Sequence, residues 1–361
     1  MKKYEKLMKR CLKLAEKAKG KTSPNPMVGA IIVDEECNII SEGYHKKWGD
    51  KHAEVNACNS ADCSCEGKTI IVNLEPCSHY GKNPPCADMI IKNKFKRVIV
   101  GNIDPNPLVA GNGIKKLEEA GIEVIKGVLE EECSRLNEVF LKNHREKLPF
   151  VTIKTATTLD GKIATKTGSS KWITGEKARN EVQKIRGAND AIMTGSGTII
   201  KDDPSLTCRT KNSKNPTRII VDSKLKTNPK SNVYKDDGTR VIILTTANKT
   251  DKYPKNVEIF TCKEKNGHVD LKEAMKKLYK EGITSILVEA GAGLNSAFIK
   301  DKLADKLIQF IAPKIIGDKN AINFIESLEA KEIKDSIKLN HSQSKVIGED
   351  IMCEYYFLKE K

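Results

Sequence analysis

Apolar residues at Tyr4, Leu7, Met8, Cys11, Leu12, Leu14, Ala15 and Ala18 recur at helical spacing with lysines opposite, so residues 1–20 predict an amphipathic helix. Thr22-Ser23-Pro24-Asn25-Pro26 then holds the chain extended. Two apolar runs, 28–33 and 39–43, flank the acidic turn Asp34-Glu35-Glu36 and predict a β-hairpin. From there the pattern alternates: helix 52–60, strand 69–74, helix 86–93, strand 97–101, helix 114–120, strand 122–125. Strands separated by helices predict a largely parallel sheet covered on both faces. One amphipathic helix is expected over 130–145, and Glu146-Lys147-Leu148-Pro149 breaks it.

A second alternating series starts at Phe150. Strands are expected at 150–155, 191–194, 218–221, 241–245, 257–260, 285–289 and 306–312, with a terminal strand at 352–358 and helices at 176–186, 271–281 and 294–300. A chain of 361 residues exceeds what one core usually serves, so the expected domains are 1–147 and 148–361, both α/β.

The formal charge of +15 and pI near 9.1 suit either nucleic acid or small phosphorylated molecules. Only nine of the 63 Lys and Arg residues are Arg, aromatics are 5%, and no dense basic tract occurs, which argues against nucleic acid. Eleven cysteines without an apolar signal-peptide core read as free thiols and metal ligands in a reducing cytoplasm. No apolar run approaches the ~20 residues of a membrane span.

The chemistry concentrates between His52 and Cys86. His52-Ala53-Glu54 is followed by Glu75-Pro76-Cys77 and, after eight intervening residues, by Cys86. One His and two Cys are suitable Zn²⁺ ligands and leave a tetrahedral ion one open position, as catalytic sites require. The reading needs His52 and Glu54 in the first turn of one helix and Cys77 and Cys86 at or before the start of the next. Glu54 would then take a proton from the attacking water and hand it to leaving ammonia, a hydrolytic deamination. The gap between Cys77 and Cys86 is longer than the Pro-Cys-x-x-Cys of nucleoside and nucleic-acid deaminases, and it adds the polar residues His79 and Lys82. Cys58, Cys63 and Cys65 are too closely spaced for a second zinc loop and are read as free thiols.

With these motifs, and with Pro24-Asn25-Pro26-Met27-Val28-Gly29, Gly43-Tyr44-His45, Asp104-Pro105-Asn106-Pro107 and Gly111-Asn112-Gly113-Ile114, the first domain resembles the deaminase domain of the bifunctional riboflavin-biosynthesis deaminase/reductase family. The resemblance implies a cytidine-deaminase-like α/β/α sandwich. It also implies a phosphoribosylamino-pyrimidine substrate and pocket roles for Asn25, His45, His79, Lys82, Asp104 and Asn106.

The second domain has no metal cluster and no nucleophile beside a base. It has two glycine loops after strands, at Thr194-Gly195-Ser196-Gly197-Thr198 and Glu289-Ala290-Gly291-Ala292-Gly293, neither completing G-x-G-x-x-G. Together with 152–164, Ser169-Ser170-Lys171-Trp172-Ile173-Thr174 and Asp202-Asp203-Pro204-Ser205-Leu206-Thr207-Cys208-Arg209, these loops resemble the reductase domain of the same family, similar in fold to dihydrofolate reductase. The resemblance implies NADPH contacts at Ala156, Trp172, Thr198, Asp202, Ser223, Gly291, Ala292 and Gly293. It implies substrate contacts at Ser170, Arg186, Leu206, Arg209 and Glu289, with Arg186 and Arg209 gripping a phosphate. Lys154 and Glu289 are candidates for the proton in hydride transfer, and a homo-oligomer is expected. Two rivals stay open at this level: a monofunctional deaminase with a non-catalytic second domain, and a nucleic-acid-binding or editing protein.

Overall fold

The structure, a computed structural model, describes residues 1–80, 84–105, 110–210, 213–248, 251–326 and 328–358. The chain divides into two compact units, Met1–Lys147 and Leu148–Lys361. The sequence positions Lys82 and Asn106 lie outside the described residues.

In the first unit α1 (Lys2–Glu16) precedes the hairpin β1 (Gly29–Val33) and β2 (Ile39–Tyr44). Then come α2 (Ala53–Asn59), β3 (Thr69–Leu74), α3 (Cys86–Lys92), β4 (Arg97–Asn102), α4 (Asn112–Glu119), β5 (Glu123–Ile125), α5 (Glu130–Leu136) and α6 (Glu138–Glu146). The sheet runs β2-β1-β3-β4-β5. It is mixed rather than largely parallel: β1 is antiparallel to both β2 and β3, because the hairpin occupies one side, while β3, β4 and β5 are parallel. Side chains alternate across β1. Ala30 and Ile32 join a core with Ala53, Ala57, Ala87 and Ile90, whereas Ile31 and Val33 join one with Leu7, Met8 and Cys11. Two buried faces make an α/β/α sandwich.

The helix expected over 130–145 is two helices that meet at Asn137, whose φ of −106° and ψ of 22° leave the helical region. Its buried side chain explains the break. Asn137 Oδ1 accepts from Met27 N at 2.8 Å and Nδ2 donates to Met27 O at 3.0 Å, clasping the segment that follows Asn25.

The second unit contains β6 (Phe150–Thr158), β7 (Lys162–Ala164), α7 (Glu176–Gly187), β8 (Ala191–Gly195), α8 (Ser196–Asp202), β9 (Thr217–Val221), β10 (Val241–Thr245) and β11 (Val257–Thr261). It continues with β12 (Glu264–Lys265), β13 (His268–Val269), α9 (Leu271–Lys280), β14 (Ser285–Val288), α10 (Ala292–Lys300), β15 (Lys306–Ala312), β16 (Ile322–Asn323), β17 (Leu339–Ile347) and β18 (Asp350–Phe357). Among the described residues a nine-stranded sheet runs β11-β10-β9-β8-β14-β6-β15-β18-β17. All its neighbours from β11 to β15 are parallel, and β18 and β17 close it antiparallel. From β8 the chain moves outward through β9, β10 and β11, then returns with β14 between β8 and β6. That reversal makes a switch point at the carboxyl ends of β8, β14 and β6, the place where parallel α/β sheets bind ligands.

Candidate active sites

His52 is the N-cap of α2 and Glu54 lies in its first turn, buried at 3% exposure. The helix is held there by a close approach to β2: a Cβ on Gly43 would stand 2.3 Å from Ala57 N, so only glycine lets the two backbones meet. Cys86 is the first residue of α3, and Cys77 is drawn to it through Ala87 N to Cys77 O at 3.1 Å and Cys86 N to Cys77 Sγ at 3.3 Å. His52 Nδ1 is 3.6 Å from Cys77 Sγ and 3.3 Å from Cys86 Sγ. Among the described residues this is the one group of three His, Cys, Asp or Glu side chains whose ligand atoms lie within 4.8 Å of one another. Cys58 Sγ instead lies 3.4 Å from Met89 Sδ, and Cys63 is exposed.

The electrostatics of the trio suit a metal. Hydrogen bonds from Cys86 and His52, working against burial, bring the Cys77 thiol down to about 4, and the hydrogen bond to Cys77 brings His52 up to about 9. Cys86 is pushed the other way by its hydrogen bond to Cys77, then by burial and Glu54. The lowered Cys77 thiol favours a thiolate beside His52, and a divalent cation held here would displace the remaining ligand protons. One imidazole nitrogen and two sulfurs form a donor set that fits Zn²⁺. The Glu54 carboxyl is raised by burial and by Cys77.

Around this trio, His45 is buried at 3% exposure; its Nδ1 donates to Lys51 O at 3.1 Å, and its Nε2 faces Asn25 Nδ2 at 3.3 Å. With Nδ1 donating to a carbonyl and an amide nitrogen facing Nε2, Nε2 accepts from the Asn25 amide, and burial lowers the ring's pKa in the same direction. The Asn25 carbonyl is thereby left for another donor. Asp104 is buried, whereas His79 is exposed on the loop between Cys77 and α3. The polar residues that hold this neighbourhood, Asn73 and Asn137, are absent from the sequence reading. Asn73 Oδ1 accepts from Gly29 N at 2.8 Å and its Nδ2 donates to Met27 O at 3.0 Å, so both asparagines fix the backbone after Asn25. A polar residue inside the otherwise apolar 69–74 run was the available signal.

In the second unit Glu289 follows β14 and meets Arg186 of α7 twice, Nε to Oε1 at 2.6 Å and Nη2 to Oε2 at 3.0 Å; Lys154 Nζ of β6 is 3.6 Å from Oε2. Burial pushes the Glu289 carboxyl up, but Lys154 and Arg186 outweigh it and hold it at about 2. Arg186 Nη1 donates to Thr207 O at 3.0 Å. The guanidinium assigned to a phosphate by sequence is thus turned toward a carboxylate and a carbonyl. Arg209 instead lines an open cleft of about 530 Å³ with Trp172, Arg179, Asn180, Gln183, Lys184 and Thr210. Trp172 is 63% exposed, and its ring centroid lies 4.4 Å from the Arg179 guanidinium carbon. Arg179, Asn180, Gln183 and Lys184 were not singled out from sequence, although their i, i+4 spacing places them on one side of a helix.

Leu206 turns its side chain inward. Its side chain is packed in the core with Ile192, Ile199 and Ile220, and its φ is 51°, so only its backbone is available to a ligand. Ser170 precedes Trp172 and is half-buried, and Ala156 lies on β6 with its side chain against the core. Thr198 lies within α8 and Asp202 ends it. Ser223 Oγ accepts from Val269 N at 3.1 Å. The starts of α8 and α10 follow the neighbouring parallel strands β8 and β14, and Gly195 and Gly291 cap them without any side-chain hydrogen bond. A Cβ on Gly197 or Gly291 would meet nothing within 4 Å, so there is open space beside both helix starts. Such a pair of helix starts fits the pyrophosphate of a dinucleotide.

Comparison with known proteins matches both units to known domains. Residues 1–102 match the cytidine and deoxycytidylate deaminase zinc-binding region, and residues 149–353 match the RibD C-terminal domain. The first unit is thus a cytidine-deaminase-like fold and the second a RibD-type reductase domain of dihydrofolate-reductase-like fold. The riboflavin biosynthesis protein RibD of Actinobacillus pleuropneumoniae is 41% identical over 96% of this chain and 94% of its own length, and that of Aquifex aeolicus 42% identical over 96% of both. A crystal structure from Thermotoga maritima, a diaminohydroxyphosphoribosylaminopyrimidine deaminase/5-amino-6-(5-phosphoribosylamino)uracil reductase, superposes with a TM-score of 0.88 at 38% identity, covering 99% of both chains. Acinetobacter baumannii RibD gives 0.88 at 34% identity over the same shares. The chain belongs to the RibD family of riboflavin biosynthesis enzymes, which join a zinc-dependent deaminase to an NADPH-dependent reductase.

Proposed function

We propose that this chain carries out both steps named for its Thermotoga relative. Residues 1–147 would hydrolyse the exocyclic amine at pyrimidine C2 of 2,5-diamino-6-(5-phosphoribosylamino)pyrimidin-4(3H)-one, consuming water and releasing ammonia. Residues 148–361 would then reduce the ribosyl chain to ribityl, giving 5-amino-6-(5-phosphoribitylamino)uracil. The observation that carries the reading is the convergence of His52, Cys77 and Cys86 beside buried Glu54, in a chain whose other unit matches the RibD reductase domain. The presence of both domains disfavours a monofunctional deaminase.

In the first unit His52 Nδ1 and the sulfurs of Cys77 and Cys86 would hold Zn²⁺, which supplies Lewis acidity. Glu54 takes a proton from the attacking water and returns it to the departing amine, and its burial keeps that proton from bulk solvent. Asn25 presents its carbonyl, oriented by neutral His45, to a donor on the pyrimidine. Asp104, His79, Lys82 and Asn106 complete the substrate contacts in this reading.

In the second unit the helix starts at Gly195 and Gly291, with Ala156, Trp172, Thr198, Asp202, Ser223, Ala292 and Gly293, would hold NADPH, which supplies the hydride. Arg209 and the cations beside it attract the substrate phosphate, while Ser170 and the Leu206 backbone bind the sugar chain. Arg186, Glu289 and Lys154 form one charged cluster, from which Lys154 or Glu289 would deliver the proton that accompanies the hydride.

Eleven free cysteines support a reducing, cytoplasmic location, and no helix of the described residues is long and apolar enough to cross a membrane. Lys-over-Arg usage supports the absence of a nucleic-acid partner. The edge strand β17, with Val346 77% exposed, offers a surface for association into a homo-oligomer. The deciding experiment incubates the protein with the phosphorylated diaminopyrimidine, with and without NADPH, and weighs the products. Deamination alone without cofactor, and a further gain of two hydrogens with it, is the expected result. Deamination without any NADPH consumption would return the second unit to a binding role.

A further inference from the structure

Glu75 directly follows β3 and immediately precedes Pro76-Cys77, yet it is not among the residues assigned to metal or substrate. It is 3% exposed, and its backbone N donates to Asn102 O at 2.9 Å, which fixes it beside β4. Its carboxylate accepts four backbone hydrogen bonds. Oε2 takes Asp104 N at 3.2 Å and Gly111 N at 3.0 Å; Oε1 takes Gly113 N at 2.9 Å and Ile114 N at 3.2 Å. An ionised carboxylate has the lone pairs for four donors, and a neutral amide does not. The residues Gly113 and Ile114 open α4, whose N-cap Gly111 has no side-chain cap, so Glu75 supplies both the missing acceptors and a negative charge at the positive end of the helix. The fit is close: a Cβ on Gly113 would stand 2.1 Å from Pro76 O.

We infer that Glu75 is a positioning residue of the deaminase, fixing Asp104 and the first turn of α4 against the Cys77 segment and so governing substrate affinity. The inference rests on the reading that Asp104 faces the pyrimidine substrate. Asp104 and Gly111 converge on one oxygen, so a single side chain sets both attachment points of the connection from β4 to α4. It belongs to the same stretch as Cys77, which couples the substrate wall to the ligand side of the site.

The test compares wild type, Glu75→Gln, Glu75→Asp and Asp104→Ala in the full chain, following ammonia release, zinc content and NADPH oxidation with the deaminated substrate. Gln directs an NH₂ at two N–H donors, and the expected result is a KM for deamination raised roughly tenfold, the scale of one or two lost charge-assisted hydrogen bonds. Its kcat should stay within about twofold, with one zinc per chain and reductase rates unchanged. Asp, shorter but ionised, should restore part of the affinity, which a purely steric role would not allow. If Gln prevents folding, the Asp variant decides: a raised KM with zinc retained supports the inference, and a wild-type KM overturns it. Loss of zinc or of the fold in both variants, or a fall confined to kcat, also overturns it. An unchanged KM in Asp104→Ala would instead refute the underlying substrate reading.

Discussion

Arg186 and Glu289 meet through two nearly parallel hydrogen bonds, at 2.6 and 3.0 Å, with side chains only 15% and 13% exposed. The pair ties the end of α7 to the strand end after β14, beside the glycine loop of α10. Removing Arg186 leaves the buried Glu289 carboxylate with its longer contact to Lys154 at 3.6 Å, a loss on the order of 3 kcal/mol. Arg186→Ala should therefore lower the melting temperature of the second unit by roughly 6–12 °C for a unit of this size. Calorimetry of the full-length protein checks this, with ammonia release at a permissive temperature expected to be retained.

The same carboxylate makes a pH prediction. Its folded value of about 2 lies below the ~4.3 of an unfolded Glu. A depressed carboxylate stabilises fully above the unfolded value, and that contribution is lost as pH falls through the folded one. The stability gap between wild type and Glu289→Gln should be constant above about pH 5 and shrink toward pH 2. Urea melts across this range measure it, and a gap that widens with acid would contradict the assignment.

For the first unit, metal analysis should give one zinc per chain, and Cys86→Ser should lower it severely. Stripping the metal with a chelator should stop ammonia release while leaving NADPH oxidation with pre-deaminated substrate intact. Glu54→Gln should abolish ammonia release, a loss of at least two orders of magnitude, with zinc retained.

Asn25→Asp keeps the side-chain shape but faces the accepting Nε2 of His45 with a second acceptor. Ammonia release should fall about tenfold or more, with zinc content unchanged. A kinetically silent variant would show that the amide is not held for substrate.

NADPH should raise the melting temperature of the second unit and quench Trp172, which stands 63% exposed at the cleft. At a hundredfold excess over Kd the stabilisation is ~2.7 kcal/mol. A Trp48→Phe background isolates the signal, since the chain has two tryptophans.

Much of the fold was legible because local signals agreed with it. The apolar stretches 70–72 and 98–100 lie at the centres of strands buried on both faces. The strand β17 was not legible: Leu339–Ile347 is polar and mostly solvent-facing, and it exists by pairing with β18. The single helix expected at 130–145 failed at Asn137, where two hydrogen bonds to Met27, 110 residues away, outweigh helical continuity. Leu206 was placed by its neighbours in a motif, yet its side chain joins the core.

The sequence by itself determined the chemistry. His52, Glu54, Cys77 and Cys86 declare a zinc deaminase because ligand type and motif spacing are local properties of the chain. Tertiary structure decided the partnerships. It turned Arg186 toward Glu289, set Asn25 against His45, and gave Glu75 the amides of Asp104, Gly111, Gly113 and Ile114. Hydrogen bonds reach only about 3 Å, and no spacing along a chain reveals which distant atoms folding brings within that range.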